Sequence, residues 1–146
     1  MSEILEIINS MSGNCSCGLH HKTAIRDIQI ASGLVHNVGN ILRKNNFPTN
    51  LLLVADKNTL KASDGIVESL NDFEVSFKIY DDLRVAKMEH VEEIEHLISN
   101  QDIGVLSVGT GSVNDPCRLA AARCDKKLCI FATAPSMDGF ASYSSP

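Results

Sequence analysis

The sequence has no apolar run approaching the ~18 residues that a membrane-spanning helix needs, so bilayer insertion is not expected. Its opening stretch, Met1–Ser10, is short and amphipathic, carries Glu3 and Glu6, and lacks the pattern of a secretion signal. Positive charge is scarce: 13 Lys and Arg stand against 18 Asp and Glu, a net charge of −5. That balance leaves no electrostatic footprint for nucleic acid or an anionic membrane. Internal repeats and low-complexity tracts are absent. Cysteine occurs five times, an odd count. Without a secretion signal it argues against a disulfide framework and for a reduced, cytoplasmic protein. What is present is 146 residues, 44% of them hydrophobic. A chain of this size buries roughly 68–70% of its unfolded surface, enough for one core. It is too short for the two-domain layout of most large enzymes.

Residues 1–25 are expected to form a short helix and an irregular Cys/His-rich segment, Ser10–His21 (SMSGNCSCGLHH). Residues 26–146 then alternate regularly. Asp27–Ala31 (DIQIA) and Glu74–Tyr80 are apolar at alternate positions, as strands are. Leu51–Ala55 (LLLVA) and Ile103–Val108 (IGVLSV) are continuous apolar runs, as expected of strands covered on both faces. Leu128–Ala132 reads as a last strand. Helices are expected at Leu34–Asn45, Asn58–Leu70, Val85–Ser99 and Val113–Cys124. Strands alternating with helices imply crossover units and a mainly parallel sheet. With right-handed crossovers the result is an α/β, Rossmann-like, doubly wound domain with helices on both faces.

In such a sheet, ligands sit beyond the carboxyl ends of the strands. Three ends stand out. The first is Val108-Gly109-Thr110-Gly111-Ser112-Val113-Asn114-Asp115. Its glycines let the backbone approach an anion, and the following helix would aim free N–H groups at that point. Ser112 is a candidate N-cap with Asp115 three residues later, and Pro116 suits a first helical turn. The turn is either a diphosphate cradle over Gly111–Asp115 or a tight strand-to-helix turn with an ordinary cap. The second end is Asp56. There a carboxylate can accept from both ribose hydroxyls of a dinucleotide and repel a 2′-phosphate, which favours NAD over NADP; alternatively it caps the next helix. The third is Ala132-Thr133-Ala134-Pro135-Ser136-Met137-Asp138-Gly139-Phe140-Ala141-Ser142, too polar for a core. Asp138 could bond a substrate hydroxyl or sit in an Asp-Gly turn.

Other clusters read more simply. Cys15, Cys17, His20 and His21 form C-x-C-x2-H-H, whose thiols and imidazoles could gather zinc. The C-x-C spacing is tighter than usual for zinc, and a flexible segment with reduced thiols is the favoured reading. Cys117, Cys124 and Cys129 are expected to pack as small hydrophobes. Glu92 and His96, four apart, could share a metal, but a charged solvent-facing helix over His90–His96 is the expectation. His36 reads as a capping or surface residue.

The pair VGTGSVND and ATAPSMDGFAS, with eighteen residues from Asp115 to Thr133, resembles the sn-glycerol-1-phosphate dehydrogenases. These belong to the iron-containing alcohol dehydrogenase and dehydroquinate synthase superfamily. Thr133-Ala134-Pro135-Ser136-Met137-Asp138-Gly139 is the specific part. Cys15-Ser16-Cys17-Gly18 with His20, and the stretch Ile30–Leu42, are similar to the bacterial branch. The resemblance covers nearly the whole chain. It implies interconversion of glycerone phosphate and sn-glycerol 1-phosphate with a nicotinamide cofactor, NAD or NADP. It also implies site residues. Asp56 would hold the adenosine ribose, and Gly109, Gly111, Ser112, Val113, Asn114 and Asp115 would form the turn around the diphosphate. Thr133, Ala134, Pro135 and Ser136 would line the cofactor cleft, Ser142 would lie near the nicotinamide, and Asp138 would touch the phosphorylated triose. In the resembled enzymes a helical second domain supplies an Asp and two His to a divalent metal (Zn, Ni or Fe) that acts as Lewis acid. No such set is expected here, since the sequence stops at Ser144-Ser145-Pro146. The expectation is a nucleotide-binding domain lacking its partner domain, inactive alone, able to self-associate through an exposed apolar face. The alternatives are an unphosphorylated-polyol dehydrogenase of the same superfamily and a non-catalytic nucleotide-binding module.

Overall fold

The structure, a computed structural model, describes residues 3–134. They fall into two compact units that meet in sequence between Leu34 and Val35. Among the described residues, no helix is long and apolar enough to cross a membrane.

In the first unit, α1 (Glu3–Ser10) buries Leu5 and exposes Ile4 and Ile7. Strands β1 (Gly13–Asn14) and β2 (His20–His21) then pair antiparallel. The strand expected at Asp27–Ala31 does not form: 22–31 has no regular structure, and Ile30 is 78% exposed. Alternation makes a strand only where another strand pairs with it, and among the described residues no strand pairs with DIQIA.

The second unit is built on one sheet. A 3₁₀ turn over Leu34–Asn37 leads into α2 (Val38–Lys44), and β3 (Asn50–Asp56) follows. Next come α3 (Lys57–Ala62), a 3₁₀ turn over Glu68–Leu70, and β4 (Glu74–Tyr80). The chain continues through α4 (Met88–Ile98), β5 (Gly104–Gly109), α5 (Gly111–Arg123) and β6 (Leu128–Ala132). The four strands are all parallel in the order β4-β3-β5-β6, with Leu51 opposite both Val75 and Gly104, and Val105 opposite Leu128.

The pleat divides the core in two. Leu52, Val54 and Val105 point to one face, where Val91, Ile94 and Ile98 of α4 and Val113, Cys117 and Ala120 of α5 cover them. Leu51, Leu53, Ala55, Leu106 and Val108 point to the other, against Val38 and Leu42 of α2 and against Ile66 and Leu70. Apolar side chains on both faces are what the run LLLVA requires, and helices on both faces make the domain doubly wound.

The helix expected over Leu34–Asn45 is α-helical only over Val38–Lys44, that over Val85–Ser99 only over Met88–Ile98, and two others differ more. The helix expected over Asn58–Leu70 breaks after Ala62, because Gly65 takes φ +91° and the Ser63 hydroxyl folds back onto the Thr59 carbonyl at 2.9 Å. The last helix starts at Gly111, with Thr110 rather than Ser112 as N-cap. Pro116 therefore sits inside the helix, beyond its first turn. Having no N–H, it leaves the Ser112 carbonyl without its usual intrahelical donor.

Gly39 fixes where α2 can lie. A Cβ there would stand 2.0 Å from the Ser69 carbonyl oxygen, backbone against backbone. Gly39→Ala gains about 1 kcal/mol of helix propensity. Overpacking against a carbonyl that cannot rotate away costs about 1–3 kcal/mol or more, so the clash wins. The variant is expected to melt several degrees lower by circular dichroism. An unchanged midpoint would mean that α2 does not approach the Glu68–Leu70 turn.

Candidate functional site

The strand order creates a topological switch point between β3 and β5. β3 leads into α3 on one face of the sheet, whereas its neighbour β5 leads into α5 on the other. Connections diverging from adjacent parallel strands open a gap at their carboxyl ends, where ligands of open α/β sheets bind. Asp56 ends β3, Gly109 ends β5, and Thr133 follows β6.

Hydrogen bonds join these three ends. Asp56 Oδ1 accepts from the Asn58 and Thr59 amides, both at 2.8 Å, and the Asp56 amide donates to Thr59 Oγ1 at 3.1 Å. This reciprocal cap gives α3 its start. The Thr59 hydroxyl donates in turn to the Val108 carbonyl at 2.8 Å, tying the end of β3 to that of β5. The Thr133 amide donates to the Gly109 carbonyl at 3.2 Å, tying in β6. Asp56 is 6% exposed, and both cap bonds use one of its oxygens, so Oδ2 takes no part in the cap.

The glycine turn is a single residue long. Thr110 is extended, and α5 begins at once. The Val113 and Asn114 amides bond the Thr110 carbonyl at 3.1 and 2.9 Å, so Gly111 and Ser112 carry the amides that precede the first intrahelical bond. Together with the positive end of a 13-residue helix, they are donors of the kind an anion can use. Gly109 serves packing: a Cβ there would stand 2.8 Å from Val113 Cβ. Asn114 is an internal bolt. Its Oδ1 accepts from the buried Ser107 hydroxyl, and its Nδ2 donates to the Gly109 carbonyl at 3.3 Å. Asp115 is buried, and its Oδ1 has no hydrogen-bond partner among the described residues; Arg118 Nη1 lies 4.0 Å away. A buried carboxylate oxygen without a donor costs about 1–3 kcal/mol or more, and it suits a ligand that brings one.

Residues 29–146 match a family model described as iron-containing alcohol dehydrogenase. The chain belongs to the iron-containing alcohol dehydrogenase family. One curated relative is the glycerol-1-phosphate dehydrogenase (NAD(P)+) of Halalkalibacterium halodurans, 26% identical over 157 aligned residues covering all of this chain. The chain spans 38% of that relative's length. In fold the domain is similar to a probable glycerol dehydrogenase from Sinorhizobium meliloti, with TM-score 0.60 and 16% identity over 73% of this chain and 28% of that one. It is also similar to the NADH-dependent butanol dehydrogenase A of Thermotoga maritima, with TM-score 0.57 and 18% identity over 77% and 35%. The four-stranded parallel sheet is the Rossmann-like part of this iron-containing alcohol dehydrogenase architecture.

Within this family domain, the structure brings together Asp56, Gly109, Gly111, Ser112, Val113, Asn114, Asp115, Thr133 and Ala134 at or beside the crevice. Pro135, Ser136, Asp138 and Ser142 lie outside the described residues. Two participants escaped the sequence reading. Thr59 was detectable as the partner of Asp56 three residues earlier, a capping-box spacing. The Ser107–Asn114 pair had no sequence signal, since a serine in an apolar strand reads only as an interruption.

Elsewhere in the second unit, His90, Glu93 and Cys117 hold packing or ion-pair positions. His90 packs edge-on to Tyr80 at 5.1 Å, and its Nδ1 accepts from the Lys87 amide at 3.2 Å. Glu93 pairs with Lys78 at 2.7 Å, and Glu92 and His96 are exposed. The exposed ring of His36 lies over Gly65. Cys117 is fully buried, and burial pushes its thiol up to about 12. Cys15 is exposed, and the Cys17 amide on its sulfur holds that thiol below its ordinary range. In native protein stripped of metal, at neutral pH, Cys15 is expected to alkylate first and Cys117 last, read by peptide mass spectrometry. Equal rates would show that α5 is not packed on the sheet.

Proposed function

We propose that this chain is the nucleotide-binding part of a metal-dependent oxidoreductase that interconverts glycerone phosphate and sn-glycerol 1-phosphate, with NAD as the favoured dinucleotide. The reading assigns residues 26–146 to that domain. One observation carries it: the switch-point crevice sets two helix-opening amides, at Gly111 and Ser112, beside a strand-end carboxylate, Asp56. The paired phosphates would lie on the Gly111 and Ser112 amides, with Val113 packed behind them. Asn114 would keep the turn rigid rather than touch the ligand, through its bonds to Ser107 and Gly109. Asp56 Oδ2 would accept from the ribose hydroxyls while Oδ1 holds α3 in place. Asp115, a carboxylate, would face a donor of the ligand and not its phosphates. Thr133, Ala134, Pro135 and Ser136 would flank the cofactor, with Ser142 towards the nicotinamide end and Asp138 on the substrate.

A bound nicotinamide supplies the hydride carrier. The chain's own residues bind and orient it, and the sheet beneath excludes water from one side. In this reading a divalent metal (zinc, nickel or iron) belongs to an Asp and two His of a further, helical domain. The phosphorylated substrate is supported by the name of the 26% identical relative and by the filling Met137-Asp138-Gly139.

Calorimetric titration with NAD+ is expected to show one site per chain, and no heat of binding would overturn the proposal. The substrate is tested in a chimera in which this chain replaces the matching part of the Halalkalibacterium relative. Turnover of sn-glycerol 1-phosphate without turnover of glycerol supports the phosphorylated triose; the reverse result assigns an unphosphorylated polyol.

A further inference from the structure

A second chemistry-bearing cluster lies in the first unit. β1 and β2 pair with Gly13 opposite His21 and Asn14 opposite His20. The loop between them closes tightly, with the Gly18 amide on the Cys15 carbonyl and the Cys15 amide on the Leu19 carbonyl, both at 3.0 Å. Gly18 takes φ +83°, a left-handed conformation that lets the chain re-enter the ladder directly. The segment read from sequence as flexible is therefore an ordered hairpin, and its order gathers ligands.

Cys15 Sγ, Cys17 Sγ and a ring nitrogen of His21 all lie within 4.8 Å of one another, and Cys17 Sγ is 3.2 Å from His21 Nε2. With Zn–S near 2.3 Å and Zn–N near 2.0–2.1 Å, a tetrahedral ion separates its ligand atoms by roughly 3.5–3.8 Å. Side-chain rotation alone spans the difference. His20 stands on the opposite face of β2, as alternation requires, and its Nδ1 contacts Asn14 Oδ1 at 3.0 Å.

We propose that this hairpin is a metal site, in which Cys15, Cys17 and His21 bind one zinc ion and leave its fourth position to water or an incoming ligand. Two thiolates and an imidazole are a soft donor set, suited to zinc and not to magnesium or calcium. The first unit also needs a cross-link. Leu5 is the one buried hydrophobic side chain among its described residues, while Ile4, Ile7, Met11, Leu19 and Ile30 are exposed. Units below about 40 residues ordinarily depend on a disulfide, a metal or association.

The test uses the full chain, reduced and stripped of metal. Anaerobic titration with cobalt(II) is expected to give a thiolate-to-cobalt charge-transfer band saturating at one ion per chain, displaced by zinc(II). Cys15→Ser, Cys17→Ser and His21→Ala should each abolish that band and weaken zinc binding by at least about tenfold. His20→Ala should retain both. A variant can also disturb the hairpin, so the unaltered chain gives a second readout: on adding zinc, the ring-nitrogen resonances of His21 shift and those of His20 do not. Failure to take up one equivalent of zinc overturns the site. So does a band that survives Cys17→Ser or His21→Ala, or a His20 resonance that moves with that of His21.

Discussion

Gly111→Val is expected to remove NAD+ binding from the chain while leaving its secondary structure intact. Gly111 is the first residue of α5 and is buried; under the proposed reading, a β-branched side chain there would occupy the approach of the phosphates to the helix start. Two charge-assisted hydrogen bonds, from the Gly111 and Ser112 amides, would be denied to the ligand. Each contributes about 1.5–3 kcal/mol, so the affinity should fall by more than about a hundredfold. The fold has separate supports: β5 keeps its ladders to β3 and β6, and Asn114 keeps its bonds to Ser107 and Gly109. Calorimetry reads the binding, and far-UV circular dichroism with a thermal melt reads the fold. Gly111→Ala, with a smaller obstruction, should lose less. Unchanged affinity in the valine variant would remove the diphosphate from this turn.

Asp56→Asn separates two duties that the aspartate combines. Asparagine is as good an N-cap as aspartate, and its amide oxygen can still accept from the Asn58 and Thr59 amides. Stability should therefore change by no more than a few tenths of a kcal/mol, whereas Asp56→Ala would lose about 1 kcal/mol with the cap. Cofactor selection should change far more. A neutral acceptor bonds the ribose hydroxyls less strongly than a carboxylate, by about 1 kcal/mol, and no longer repels a 2′-phosphate. The preference for NAD+ over NADP+ should narrow by about tenfold, measured as the ratio of the two dissociation constants. A ratio that stays fixed would leave Asp56 as a helix cap and nothing more.

The parts of the fold legible in the sequence are those where one signal dominates. Glu74–Tyr80 and Leu128–Ala132 are strands with the expected limits, and Leu51–Ala55 lies at the sheet centre, because an unbroken apolar run cannot be solvated on either face. Where two local preferences compete, the reading slips. Asp64-Gly65 breaks a helix whose apolar spacing Ile66 and Leu70 continue, since from a turn they serve the same core. Asp27–Ala31 has the alternation of a strand, but among the described residues no strand pairs with it. In the crevice, Asp56 and the glycine turn were visible from their places at strand ends. The division of labour within the turn was not. Which amides remain available depends on the residue where α5 starts, and Pro116 made a later start look natural. The Thr59–Val108 bond joins elements far apart in sequence and the Ser107–Asn114 bond lies beneath the turn, and no local pattern announces either.

The central position of β3 has a consequence for how the chain comes to be folded. Its five apolar residues, Leu51–Ala55, need β4 on one side and β5 on the other, and Gly104, the partner of Leu51, is made more than fifty residues later. During synthesis LLLVA leaves the ribosome without its second neighbour and with no proline or charge inside it, the composition of a segment that pairs with copies of itself. Parallel pairings between distant segments also form slowly. Yield of native protein should therefore depend on temperature and on chaperone supply while the chain is being made, more than on the stability of the finished domain.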